Sequence, residues 1–181
     1  MRRGFFRRYF EDYTEERLPG GDGRLRTKRA YRGFFYAPEL SQIRRAMRAV
    51  GYSLSYLAAL AGFVWVGTLR AACNAAWYVA PAMGISLASA AVLAIPLFGC
   101  AFGAKRQTVY QYRSGSISCI RWSLITAGGM GLTALLALVA CALAGESVLP
   151  AGGYLLAACA MALPGWAERK VAYAREHNPE A

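Results

Sequence analysis

The chain reads as an all-α integral membrane protein, a four-transmembrane-helix bundle made of two hairpins and preceded by an amphipathic cytoplasmic arm. Three observations predict this. Apolar residues make up 56% of the 181 positions and charged residues only 17%. Between Val50 and Ala167 the only charged residues are Arg70, Lys105, Arg106, Arg113, Arg121 and Glu146. They leave four uncharged runs, each long enough to cross a bilayer, because a helix rising ~1.5 Å per residue needs ~20 residues for a ~30 Å hydrocarbon core.

The runs predict crossings over residues 50–69, 77–103, 122–145 and 148–167. A soluble helix of that length would carry a polar face. These carry Ala, Leu, Gly and Val all round, with scattered Ser and Thr. The fourth run is the poorest helix former, since Pro150, Gly152, Gly153, Pro164 and Gly165 fall in it. Residues 1–49 hold no apolar stretch of signal-peptide length, so the first crossing is expected to act as an uncleaved anchor.

Orientation follows from basic residues, which collect on the cytoplasmic side of short loops. Residues 1–49 carry 13 Lys and Arg, the 104–121 connection four, and the 168–181 tail three; Arg70 alone falls on the other side. Four crossings with both termini inside satisfy that division. The same topology accounts for the net charge of +11 without a nucleic acid. The expected partners are the bilayer with its anionic headgroups, and a membrane protein or second copy of the chain; basic segments near a membrane gain roughly 1 kcal/mol per residue. The expected location is the cytoplasmic membrane of a bacterium.

The arm, 1–49, has its own pattern. Phe5, Phe6, Tyr9, Phe10 and Tyr13 share about 140° of a helical wheel, and Arg7, Arg8, Glu11, Asp12 and Glu15 lie mainly opposite. That predicts a short interfacial helix, with its rings either in the membrane or on the protein's own surface. Glu16 and Arg17 break the pattern, and Pro19-Gly20-Gly21-Asp22-Gly23 ends the segment. Residues 32–35 repeat the Arg-Gly-Phe-Phe of residues 3–6, which adds Phe34 and Phe35 to the interface set. Pro38 suits the first turn of a juxtamembrane helix, whose Leu40, Ile43, Met47 and Val50 oppose Arg44, Arg45 and Arg48. Arg2, Arg3, Arg7, Arg8, Arg44, Arg45, Arg48, Lys105 and Arg106 are the expected contacts to headgroups or a partner.

Motifs for chemistry are not found. No carboxylate or base falls within the four runs, which argues against a proton-coupled transporter. Ser86, Ser89, Thr126 and Thr133 could line a polar path, but small hydroxyl residues also serve helix packing. The five cysteines form no Cys-x-x-Cys; Cys73 and Cys141 could pair at the outer face, or all five could act as small apolar residues. His177 stands alone, Gly20–Gly23 is a turn and not a phosphate loop, and no Gly-x-Ser-x-Gly occurs. No metal or cofactor is expected. Gly99-x-x-x-Gly103 and Gly128, Gly129 and Gly131 are expected to let helices approach closely. The two outer loops are short, so function is expected at the cytoplasmic face, as a non-catalytic accessory or interaction subunit. A Ser/Thr-lined transporter or channel component is the alternative, and a lipid-acting enzyme using loop Tyr, Arg and Glu the third.

Overall fold

The computed structural model describes residues 13–19 and 25–177. Within them the chain is mostly helical. An antiparallel pair of strands comes first, β1 (Tyr13–Pro19) and β2 (Leu25–Tyr31), followed by β3 (Phe35–Pro38). Helix α1 spans Gln42–Thr68, a short α2 Ala72–Ala75, and α3 Val79–Ala101. Strand β4 (Gln107–Thr108) leads into α4 (Val109–Tyr112), a π-helical turn (Arg113–Ile117) and α5 (Ser118–Ala144). Helix α6 spans Leu149–Glu168, and β5 spans Tyr173–Glu176.

Four helical stretches are long and apolar enough to span a membrane: Gln42–Thr68, Val79–Ala101, Val109–Ala144 and Leu149–Glu168. Around the bundle, α1 neighbours α6, α6 neighbours α5, α5 neighbours α3, and α3 neighbours α1. Successive long helices are thus adjacent and run up and down. Their ends have local causes. Ser41 caps α1 by accepting from the Arg44 N–H at 3.4 Å. Gly145 ends α5 in the left-handed conformation, at φ 67°, where a side chain would be strained. Pro150 sits in the first turn of α6, where its missing N–H costs nothing.

The exterior is apolar as well as the core. Leu143 is 80% exposed, Ile95 79% and Leu156 73%, while the core combines Phe63, Leu93, Leu97, Met130 and Tyr154 with the fully buried Ser86, Ser123, Thr126 and Thr133. A large apolar exterior suits helices surrounded by hydrocarbon. Interhelical hydrogen bonds are few and specific. Tyr56 donates to the Ala90 carbonyl at 3.0 Å, and Ser55 to the Ala160 carbonyl at 2.5 Å.

At one end, β3 is the centre of a three-stranded antiparallel sheet ordered β4-β3-β5. Phe35 lies opposite Thr108 on one side and Glu176 on the other, and Tyr36 opposite Gln107 and Arg175. The sheet therefore joins the segment before α1, the connection after α3 and the segment after α6. Hereafter this is the sheet end.

Several expectations change. Tyr13–Arg17 is strand, not helix, and pairs along its length with β2. The register sets Glu15 opposite Arg29 and Glu16 opposite Lys28. A helical wheel counts ring positions and is blind to a second strand supplied across a glycine-rich turn. Phe5, Phe6, Tyr9 and Phe10, with Arg2, Arg3, Arg7 and Arg8, lie outside the described residues. Pro38 ends β3 and does not open a helix. The juxtamembrane helix and the first crossing are one helix, α1. The 104–121 connection is helical from Val109 onward, with the capping box of Thr108 and Gln111 starting it.

Candidate functional site

Glu168 is the one carboxylate buried among the described residues, 2% exposed at the last position of α6. A carboxylate there needs compensation, because leaving a buried charge unpaired costs several kcal/mol, of order 3–5 when one partner is removed. Every lone pair is used. Arg48 from α1 donates to Oε2 at 3.3 Å, and Tyr52, one helical turn on, donates to the same oxygen at 2.9 Å. Ser116 of the π-helical turn donates to Oε1 at 2.6 Å, and Tyr173 of β5 donates to Oε1 at 2.5 Å. Two donors per oxygen fill the accepting capacity of a carboxylate.

Arg48 extends the network. Its Nη1 also donates to the Tyr173 hydroxyl at 3.2 Å, and its Nη2 to the Cys100 carbonyl near the end of α3 at 2.9 Å. One cluster thus ties α1, α3, the π-helical turn, α6 and β5. The π-helical turn has a steric reason. Gly115 lies against the backbone of Gly99 and Cys100, with atoms 3.7–3.8 Å from where its Cβ would be. An added residue in the turn lets Gly115 approach α3 while Ser116 faces Glu168. Burial, reinforced by Cys100 and Glu168, pushes the Tyr173 hydroxyl above its ordinary value, so it remains a donor.

Aromatic rings secure the sheet over this cluster. Tyr36 stacks on Tyr112 at 4.5 Å, and Tyr112 meets Tyr173 edge-on at 4.8 Å. Phe34 carries Arg175 over its face at 3.7 Å and touches His177 at 5.0 Å. Phe35 packs on Tyr31, which packs on Tyr13. Phe34 and Phe35, expected at a membrane interface, are half-buried against the chain itself. Arg48, expected at headgroups or a partner, turns inward because the buried Glu168 carboxylate pairs with it at 3.3 Å. Arg44 and Lys105 are exposed, Arg45 is half-buried, and the exposed Arg106 pairs with Glu176 at 2.9 Å.

The other sequence candidates separate. Ser86 and Thr133 meet each other at 3.3 Å and donate to the carbonyls of Ala82 and Gly129 in their own helices. Ser89 is half-buried and bonds the Ser86 carbonyl; Thr126 is buried with no partner for its hydroxyl. Gly129 lies where a Cβ would meet Ser86 Oγ at 3.1 Å, whereas Gly99, Gly128 and Gly131 face open space. At Gly103 a Cβ would meet the Gly99 carbonyl of the same helix end. The closer interhelical approaches are at Gly67, against Met83, Gly153, against Val66, and Gly165, against Ser123. Cys73 and Cys141 are both buried and free; the Cys73 thiol donates to the Asn74 side-chain carbonyl at 3.7 Å, and burial pushes it up to about 11.

Glu168, Tyr52, Ser116 and Tyr173 were missed as site residues. The signal available was weak: a Glu immediately followed by Arg169 and Lys170 looks like ordinary tail. Comparisons with protein-family models, with curated proteins and with solved structures find no match.

Proposed function

We propose that this chain is a four-span protein of a cytoplasmic membrane with both termini inside, acting as a non-catalytic accessory subunit that offers its sheet end to a partner protein. The charge division supports the orientation: 20 of 21 basic residues fall in the segments 1–49, 104–121 and 168–181, and Arg70 alone falls in the connection between the first two long helices. The apolar exterior supports the membrane. The observation that carries the reading is the Glu168 cluster. Its carboxylate has no acceptor capacity left for a substrate or a travelling proton, and its bonds hold five segments at one end of the bundle in fixed relation. Such a site stiffens a platform. The β1-β2 pair, joined to that platform through Tyr31, is the segment proposed to meet another protein.

The test removes residues 1–30 and keeps Tyr31, whose hydroxyl donates to the Phe34 carbonyl and accepts from the Val109 N–H. Membranes from the source cells, solubilised in mild detergent, are resolved by native electrophoresis. The full chain should migrate in a complex larger than itself. The shortened chain should insert normally but run alone. Identical migration of the two would overturn the proposal.

A further inference from the structure

A groove of about 410 Å³ runs along the outside of the bundle between α1 and α6 at the sheet end. Its volume falls within the ordinary range for ligand sites. One wall is a single face of α1, on which Arg44, Arg48, Gly51 and Ser55 recur at helical spacing. The other wall is Leu163, Pro164 and Ala167 of α6. Gly51 lies on this face, and a Cβ placed there meets nothing within 4 Å, so a larger side chain at this position would stand in the open space of the groove.

Charge is graded along the groove. Arg44 is exposed at the mouth, two turns before the uncharged run begins at Val50. Arg48 lies deeper, its side chain 9% exposed, and its Nε is buried with no hydrogen-bond partner. Glu168 balances one of these two cations and leaves an excess of positive charge. Beyond Gly51 the walls are largely apolar. From Arg44 to Ser55 is about 16 Å along the helix. Positive charge at headgroup depth continuing into an apolar channel of that length fits one kind of molecule.

We infer that this groove binds an anionic glycerophospholipid, its phosphate at Arg44 and one acyl chain along Gly51 and Pro164. The site rests on the membrane reading above. Recovery of the chain in the washed membrane fraction tests that reading separately, before any lipid is added.

The experiment is native mass spectrometry of the full chain in detergent, titrated with phosphatidylglycerol or with phosphatidylcholine. The full chain should retain one phosphatidylglycerol under activation that strips phosphatidylcholine. Arg44→Gln removes a charge-assisted contact and should weaken retention roughly tenfold. Gly51→Leu should weaken it comparably by filling the channel, with no clash to unfold the protein. Arg113→Gln, also exposed but outside the groove, should leave retention unchanged. Retention that is equal in the full chain, Arg44→Gln and Gly51→Leu would overturn the inference. So would a loss in Arg113→Gln equal to that in Arg44→Gln, since it would mean diffuse attraction to basic charge.

Discussion

At the scale of residues, the Glu168 cluster sets the largest expected effects. Glu168→Ala leaves Arg48 buried without its ion-pair partner and should lower stability by about 3–5 kcal/mol. Tyr52→Phe removes one donor of four and should cost about 1 kcal/mol. Replacing both charges together, Arg48→Met with Glu168→Leu, should recover most of the loss, because an apolar pair of similar bulk has no desolvation to repay. Thermal unfolding in detergent reads all three. A double variant no more stable than Glu168→Ala would show that the ion pair does more than satisfy itself. None of this was legible in advance. Glu168 is itself the charge that bounds the fourth uncharged run, so by sequence it reads as the first residue of a solvated tail. Nothing in the local sequence distinguishes it from Glu176, which stays at the surface with Arg106. The difference is made by Arg48, 120 positions earlier.

At the scale of elements, glycine supplies the discriminating test. A Cβ at Gly165 would stand 2.7 Å from Ser123 Cβ and 3.2 Å from the Ile120 carbonyl, and one at Gly153 2.5 Å from a Val66 methyl. Gly165→Ala should therefore destabilise, by about 1–3 kcal/mol for overpacking. Gly153→Ala should cost less, since a methyl can shift. Gly128→Ala meets nothing and should be neutral or stabilising by up to ~1 kcal/mol through helix propensity. The same unfolding assay ranks them, and a destabilising Gly128→Ala would mean that a second molecule occupies its face. The long helices were legible because the absence of charge over some 20 residues is a strong signal. Their bounds were less so, since α1 continues for two turns beyond its apolar run and the α5 stretch begins at Val109. The sheet was not legible at all. Its strands are two to four residues long, and the pairing of Tyr36 with both Gln107 and Arg175 is set by helix packing, not by local pattern.

At the scale of the whole molecule, orientation has a direct check, and the native thiols cannot provide it. Cys73 and Cys119, the obvious reporters on opposite sides, are both fully buried. Burial also raises the Cys73 thiol above its ordinary value, so less of it is thiolate at a given pH, and the thiolate is the reactive form. Raising the pH would expose the thiolate and speed labelling, but only as fast as the outer end opens. Introduced cysteines avoid this. Arg70→Cys and Lys105→Cys both lie at exposed positions, best made with Cys159→Ser because Cys159 is exposed. A membrane-impermeant maleimide on intact cells should label Arg70→Cys and spare Lys105→Cys. Labelling of Lys105→Cys alone would invert the topology.

The span between Arg48 and Glu168 also has a temporal meaning. The two are 120 residues apart in sequence. At a synthesis rate of ~5–20 residues per second, Arg48 leaves the ribosome roughly 6 to 24 s before its counter-ion. Tyr173, which bonds both, comes later still. Strand β3 likewise waits for β4 and then for β5 on its other side. The sheet end thus cannot be complete until β5 has been made, although its first pieces are made early. A chain that stops short of Glu168 leaves Arg48 without its counter-ion. The ion pair therefore dates the closing of this end of the bundle to roughly the last fifth of the chain's synthesis.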